Sequence, residues 1–317
     1  MGNIETIISE KMKELDLAPI EKISDFIIKK KRFYAAPVLN GKKEKVFFKI
    51  LIVSDSAPTQ SIIKEMKMRN LMLNFQDKIA FPHLIKYNDQ NLPYWFISQY
   101  IEGDVIGFLY DLHDDREVII PLLVNTLFAL HNISESTLTS ILKDNFFLKD
   151  DGFNDPLVIL KLFENKLSVD YKTRIDFLKV HQFVKDRKKY FENHKIILAH
   201  GDYTLNNMVI NNGEMILTDW ESANLGNIAS DIAHLWIQLW RYPLWRQKLL
   251  TDYVNTLPKE EIDEFKNLFE AKVIFEALAE LIWNFDICPL QYRQSLIEIC
   301  IKTVNVALER FDKLSKL

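Results

Sequence analysis

Apolar residues recur at helical spacing over residues 3–16, at Ile4, Ile7, Ile8, Met12 and Leu15, and the chain changes character at Pro19. From there to Val53 the segments ISDFIIKK, RFYAAPVL and KVFFKILIV are rich in β-branched and aromatic residues. Asn40-Gly41 between the last two predicts a hairpin. Pro58 and Thr59 open a predicted helix that runs to about Phe75, HLIKY and PYWFISQY follow as strands, and Gly103 marks a break. Beyond it the period is helical, over residues 115–132, 156–166, 170–192, 228–241, 259–284 and 290–313. The interruption is KIILA, MVI and MILT, three short apolar runs, with Asn212-Gly213 as a hairpin turn between the last two. A strand-rich first third joined to a helix-rich remainder predicts an α+β protein of two lobes. The first lobe, residues 1–101, is expected to hold a five-stranded antiparallel sheet with one helix; the second, 102–317, is expected to be mostly helical, with a cleft near residues 99–104.

Composition narrows the function. The 317 residues are 48% hydrophobic, enough for one large core or two modest ones. A net charge of -4 and a pI near 6.0 lack the basic face of a nucleic-acid binder. Cys288 and Cys300 stand twelve positions apart without paired spacing, which suits neither a disulfide framework nor a zinc knuckle. No run reaches the roughly 20 apolar residues of a membrane span, and the opening MGNIET reads as a helix start, so a cytoplasmic location with no membrane partner is expected.

The chemistry concentrates in LAHGDYTLNNMVINNGEMILTDWE, residues 198–221. Read as strand, loop and hairpin, the stretch brings Asp202, Asn207 and Asp219 to one end of its strands. Two carboxylates and an amide suit Mg²⁺, which takes oxygen ligands and draws one or two carboxylates from a protein, with substrate phosphates completing its shell. Asn207 and Asp219 fit that description.

His200, Asp202 and Asn207 form H-x-D-x-x-x-x-N, and Asp219 follows an apolar strand. The arrangement resembles the kinase catalytic loop and its metal-binding aspartate. With Gly201, Trp220-Glu221 and the later Asp231-Ile232-Ala233, it resembles the aminoglycoside phosphotransferase and choline kinase superfamily more than the protein kinases. That resemblance implies a protein kinase-like fold, with Asp202 as the base for the acceptor hydroxyl, His200 holding the loop and Asp231 bracing it. Independently, only eleven residues separate Asp219 from Asp231, too few for a peptide-docking activation segment. A small-molecule acceptor follows.

By the same resemblance, Lys49 after Val46-Phe47-Phe48 would reach the phosphates of ATP, and Glu65 on the next helix would hold it. Ser98 to Gly103 resembles the connector that binds the adenine edge, which makes Tyr100 and Ile101 lining residues. One feature departs from the superfamily: no glycine occurs from Asn3 through Asn40, and the first hairpin tip reads Lys29-Lys30-Lys31-Arg32. That tip either covers phosphates by side-chain charge or is a solvated edge.

On the acceptor side Glu221 is the foremost candidate, being fixed beside Asp219. Trp236, Trp240, Trp245 and Trp283, with Glu280 and Asp286, offer an aromatic and acidic pocket for a cation. Ile232, Leu235, Trp236, Leu239 and Trp240 also form an apolar helical stripe, which is a core pattern. The expectation is therefore a phosphotransferase that uses Mg²⁺ and ATP on a choline-like amino alcohol or an aminoglycoside, with a sugar or homoserine left open. A nucleotide-binding pseudokinase and an atypical protein kinase are the alternatives.

Overall fold

A computed structural model describes residues 2–28, 33–52, 56–107, 116–133, 138, 155–284, 288–309 and 311–314. The elements begin with helix α1 (Gly2–Glu14) and strands β1 (Leu17–Pro19), β2 (Ile27–Ile28), β3 (Phe33–Asn40) and β4 (Lys45–Leu51). Helix α2 (Ser56–Met72) and strands β5 (Leu84–Asn88), β6 (Trp95–Gln99) and β7 (Asp104–Val105) follow. Then come helices α3 (Arg116–His131), α4 (Pro156–Lys166), α5 (Val169–Lys172), α6 (Phe177–Asp186) and α7 (Lys188–Glu192). Strands β8 (Ile197–Ala199), β9 (Met208–Asn211), β10 (Glu214–Leu217) and β11 (Asn224–Gly226) precede the last helices. These are α8 (Ser230–Gln238), α9 (Pro243–Thr256), α10 (Ile262–Ala279), α11 (Leu290–Ala307) and α12 (Phe311–Leu314).

The chain forms two compact units, Met1–Val105 with Met208–Ala223 and Ile106–Asn207 with Asn224–Leu317. The first therefore differs from the expected residues 1–101: it runs on to Val105 and recruits the β9–β10 hairpin. Backbone pairing explains the recruitment. Val105 of β7 lies opposite Val209 of β9, and the Leu217 N–H donates to Ala80 O at 3.0 Å.

In the first unit the antiparallel strand order is β1-β3-β4-β6-β5, with β2 paired to β3. Among the described residues the sheet thus has six strands where five were expected. Three-residue β1 is too short to leave an alternating pattern, and the first half of the predicted ISDFIIKK strand is a 3-10 turn at Ile23–Phe26. Alternation along β4 sorts its side chains between two cores. Val46, Phe48 and Ile50 pack with Ile8 and Met12 of α1, while Leu51, with Phe33 and Phe96, packs with Ile62 and Met66 of α2. Both faces of the sheet are thus covered by a helix, so α1 is a second helix of this unit rather than an appendage. Each such fully buried side chain contributes about 1.5–3 kcal/mol.

The hairpins predicted at Asn40-Gly41 and Asn212-Gly213 both form, with different turns. Asn40 Oδ1 accepts from the N–H groups of Lys42 and Glu44, both at 2.9 Å, and Lys43 takes the left-handed conformation, so this connection is longer than two residues. In the second hairpin Asn212 and Gly213 both have positive φ, 52° and 80°, as a two-residue turn demands.

In the second unit β8 pairs antiparallel with β11, Ala199 opposite Asn224, and delivers the chain into the His200 loop. Around this ribbon the helices bury Trp236, Tyr253, Phe265 and Phe269. The single helix expected over residues 170–192 is three, because Asp176 caps a new start by accepting the Lys179 N–H at 3.2 Å. Helix α9 was not expected, and α10 ends in a π-helical turn at Glu280–Asn284. Cys288 and Cys300 are buried free thiols. Among the described residues no helix is long and apolar enough to cross a membrane.

Candidate active site

Lys49 lies on β4 with the parity opposite to Phe48 and Ile50, on the face covered by α2. Residues Ile62, Glu65, Met66 and Arg69 are spaced along one side of that helix, so Glu65 meets the lysine. Lys49 Nζ donates to Glu65 Oε2 at 2.6 Å, to Glu221 Oε2 at 3.1 Å and to Asp219 Oδ1 at 3.4 Å. Arg69 holds the other Glu65 oxygen through Nη2 at 2.7 Å and Nε at 3.1 Å, and its Nη1 donates to Pro82 O at 2.8 Å. Burial alone would lower the Lys49 pKa, but Glu65, Asp219 and Glu221 raise it well above the ordinary lysine value. Burial likewise pushes Glu65 upward, and Lys49 and Arg69 reverse the shift and hold it below the usual carboxylate range.

Asp219, two residues beyond β10, takes a left-handed conformation, φ 56° and ψ 65°, unusual for a residue other than glycine. Trp220 after it is fully buried and its indole N–H donates to Leu217 O at 3.3 Å. Anchored at this tryptophan, the turn lets Asp219 and Glu221, one on each side, both reach Lys49. Ser61 Oγ donates to Glu221 Oε2 at 2.8 Å and fixes it further. Carboxylate oxygens of Glu65, Asp219 and Glu221 lie within 4.8 Å of one another. Three carboxylates against the two cations Lys49 and Arg69 leave a net negative, all-oxygen donor set, which fits a hard divalent cation such as Mg²⁺.

The second unit supplies the H-x-D loop. Asp231, at the start of α8 and buried, accepts the His200 N–H on Oδ2 at 2.8 Å and the Gly201 N–H on Oδ1 at 2.9 Å. His131 Nε2 lies 3.5 Å from the same Oδ2, and its Nδ1 bonds the Tyr253 hydroxyl at 2.7 Å. Burial raises the Asp231 pKa, but His131 and the His200 amide hold it below the usual range. Asp202 then projects from a braced backbone. Asn207, on a 3-10 turn, donates its amide to Asp202 O at 3.0 Å and Oδ2 at 2.9 Å. Both bonds use Nδ2, so Oδ1 is the atom Asn207 offers to a cation.

The expected residues are thus gathered in two sets: Lys49, Glu65, Asp219 and Glu221 in the first unit, and His200, Asp202, Asn207 and Asp231 in the second. His200 is fully buried beside Tyr203, with ring centroids 6.2 Å apart. Tyr100 and Ile101 follow β6, where Lys45 Nζ sits 5.3 Å from the Tyr100 ring centroid. The four tryptophans do not form a pocket. Trp236, Trp240 and Trp245 are core, whereas Trp283 is 49% exposed and already carries Lys166 Nζ at 4.9 Å from its ring centroid. Glu280 is buried and accepts from Gln238 Nε2 at 3.3 Å. The basic tip Lys29-Lys30-Lys31-Arg32 and Asp286 lie outside the described residues.

Sequence reasoning missed Arg69, Ser61, His234 and Glu276. Arg69 was readable as the i+4 partner of Glu65. His234 stands three positions after Asp231, hence on the same side of α8, but its partner Glu276 comes from α10 and left no local signal.

A lysine held by a helix carboxylate under an antiparallel sheet, and a helical unit carrying a braced H-x-D loop, define a kinase-like fold of α+β class. The chain belongs to the phosphotransferase enzyme family, whose APH profile matches residues 51–262. Solved structures agree on the fold. The GDP complex of wild-type aminoglycoside 2'-phosphotransferase-IIIa superimposes with a TM-score of 0.61 at 12% identity, covering 96% of this chain and 99% of that one. Aminoglycoside phosphotransferase APH(4)-Ia gives 0.63 at 12% identity, over 94% and 98%. The gentamicin complex of APH(2")-IIa gives 0.57 at 16% identity, over 98% of each chain. No curated protein matches the chain by sequence.

Proposed function

We propose that the chain transfers the γ-phosphate of ATP to a hydroxyl of a small, amine-bearing molecule. The observation that carries this reading is the buried Lys49, gripped by Glu65 and faced by Asp219 and Glu221. A buried cation among carboxylates is a costly arrangement for stability alone, and phosphate chemistry accounts for it. In this reading Lys49 contacts the triphosphate, Glu65 and Arg69 hold it in place, and the segment at Tyr100 and Ile101 borders the adenine. Asp219 in the first unit is a proposed oxygen ligand of Mg²⁺, which when bound neutralises charge developing on the phosphates, and Asn207 in the second presents an amide oxygen of the kind Mg²⁺ takes. Glu221, bonded to Lys49 and Ser61, serves this phosphate side rather than the acceptor. Asp202 orients the acceptor hydroxyl and takes its proton, on a backbone that His200 and Asp231 keep in shape.

A cavity of about 380 Å³ in the second unit, walled by Gly201, Asp231, His234, Glu276, Phe275 and Trp283, is the proposed acceptor pocket. Its carboxylates and aromatic rings suit an amine on an aliphatic or sugar frame. Complexes with kanamycin and gentamicin among the similar folds favour the same class.

The test is release of ADP from Mg-ATP, or of GDP from Mg-GTP, with amino alcohols, aminoglycosides, sugars and a generic protein as acceptors. Acceptor-dependent turnover that Asp202→Asn abolishes, with nucleotide binding retained, supports the reading. Binding without any turnover would make the chain a pseudokinase, and phosphate appearing on protein alone would make it a protein kinase.

A further inference from the structure

His234 walls the proposed acceptor cavity, and that role leaves its contact with Asp202 unused. It lies on α8 one turn beyond Asp231, so the two share a side of the helix. Asp231 takes the backbone amides of His200 and Gly201, and His234 reaches the next side chain, Asp202. Its Nδ1 lies 2.8 Å from Glu276 Oε2 on α10, and its Nε2 lies 3.4 Å from Asp202 Oδ1.

We propose that His234 is a positioning residue for Asp202, clamping the carboxylate oxygen that Asn207 does not hold and tying it to Glu276 in the cavity wall. The proposal rests on the reading of Asp202 as the base. Asn207 Nδ2 fixes Oδ2 at 2.9 Å and His234 faces Oδ1, so the carboxylate plane is defined from both ends. A carboxylate facing each ring nitrogen favours the imidazolium form, in which both nitrogens carry a proton and the ring is positive.

The charged and titratable groups around this ring come from four elements. Asp202 is on the loop, Asp231 on α8 itself, Glu276 and Lys272 on α10, and His194 on the segment before β8; the last four line the cavity with His234. Burial lowers the His234 pKa, but Glu276 and Asp202 outweigh it and hold the value well above that of an ordinary imidazole. Reciprocally, burial raises the Asp202 pKa, and His234, Asn207 and His200 bring it below the usual carboxylate range. His234 Nε2 is buried and makes no closed hydrogen bond, so its contact with Asp202 is an ion pair. Contacts of this kind are often long before substrate arrives and tighten in the reacting complex.

A purely structural histidine would tie α8 to α10 through Glu276 and leave Asp202 indifferent, and the experiment separates the two. The His234 ring is followed against pH by NMR in the whole protein, its signal assigned through the backbone, in wild type and in Asp202→Asn. The proposal expects the ring to titrate at lower pH in Asp202→Asn, and an unmoved titration overturns it. With an acceptor from the panel, kcat of His234→Gln falls on the order of 10- to 100-fold while KM for ATP stays put, since misplacing a base forfeits part of its contribution. A folded His234→Gln with unchanged kcat overturns the proposal, even if Asp202→Asn is dead. Full turnover in Asp202→Asn instead removes the base reading on which it stands. Should His234→Gln not fold, Glu276→Gln takes its place in the kinetics, with an unchanged kcat overturning the proposal.

Discussion

Lys49 carries its charge to a place where only 4% of its surface meets solvent, and Glu65 beside it is buried just as deeply. Such a pair is weak evidence for stability while intact, but breaking it leaves an uncompensated buried charge. Lys49→Met should therefore lower the unfolding free energy by about 3–5 kcal/mol, read from denaturant melts, as well as remove nucleotide binding. Asp202 is different: it is partly exposed, and in the proposed reading its contribution is to rate. Asp202→Asn should then keep the affinity for nucleotide while turnover, read from steady-state kinetics, drops on the order of 10²- to 10⁴-fold, the worth of a positioned base. At this scale the sequence was legible where chemistry is local. His200, Asp202 and Asn207 sit within eight consecutive residues, and Lys49 follows the apolar run Val46-Phe47-Phe48 where the resemblance puts a phosphate-binding lysine. Glu276 was not legible, because α10 meets α8 only after the helices pack.

Elements show a similar division. Gly103 interrupts the strand pattern because its φ is 153° and an added Cβ would sit 2.4 Å from Ile210 O. Gly103→Ala should push β7 off β9 and cost about 1–3 kcal/mol in a melt, whereas Gly213→Ala, with open space at the Cβ, strains only a turn of φ 80°. The long helices at 116–131 and 156–166 fell close to where their period placed them. Helix α9 did not, although Trp245, Leu249, Leu250 and Tyr253 are buried on it, because charged and polar residues interrupt those positions and Arg246 is buried among them. Arg246 Nε donates to Trp236 O at 2.7 Å near the end of α8, and burial draws its pKa down to about 9. Three-residue strands such as β1 and β11 are set by their partners, and no pattern that short distinguishes them from loop.

Across the whole molecule the titrating groups give stability a defined pH shape. Glu65 and Asp231 have lowered pKa values in the folded state, so the stability they add is present above the unfolded carboxylate value, roughly 4, and is lost as pH falls through their folded values. His234 has the opposite sign. Its raised pKa adds stability that is complete below the unfolded imidazole value, roughly 6.5, and disappears as pH rises through the folded one. Melting temperature against pH should therefore form a plateau between about 4 and 6.5, and His234→Gln should flatten its alkaline slope. The α+β class and two-part organisation were legible in the shift from strand to helical period. The return of the chain to the first unit was not, because a hairpin inside a helical stretch looks the same whichever sheet it joins.

That return has a consequence for synthesis. When the ribosome has released residue 105, the sheet and its two covering helices exist, but Asp219, Trp220 and Glu221 have yet to be translated. Nascent Lys49 waits with Glu65 as its helix partner, and α2 lacks the buried indole turn against which it packs. Completion of the first unit is thus deferred until roughly a hundred more residues have emerged, and a gene truncated after Val105 would encode a sheet whose lysine keeps Glu65 but lacks Asp219 and Glu221, with one helix face bare.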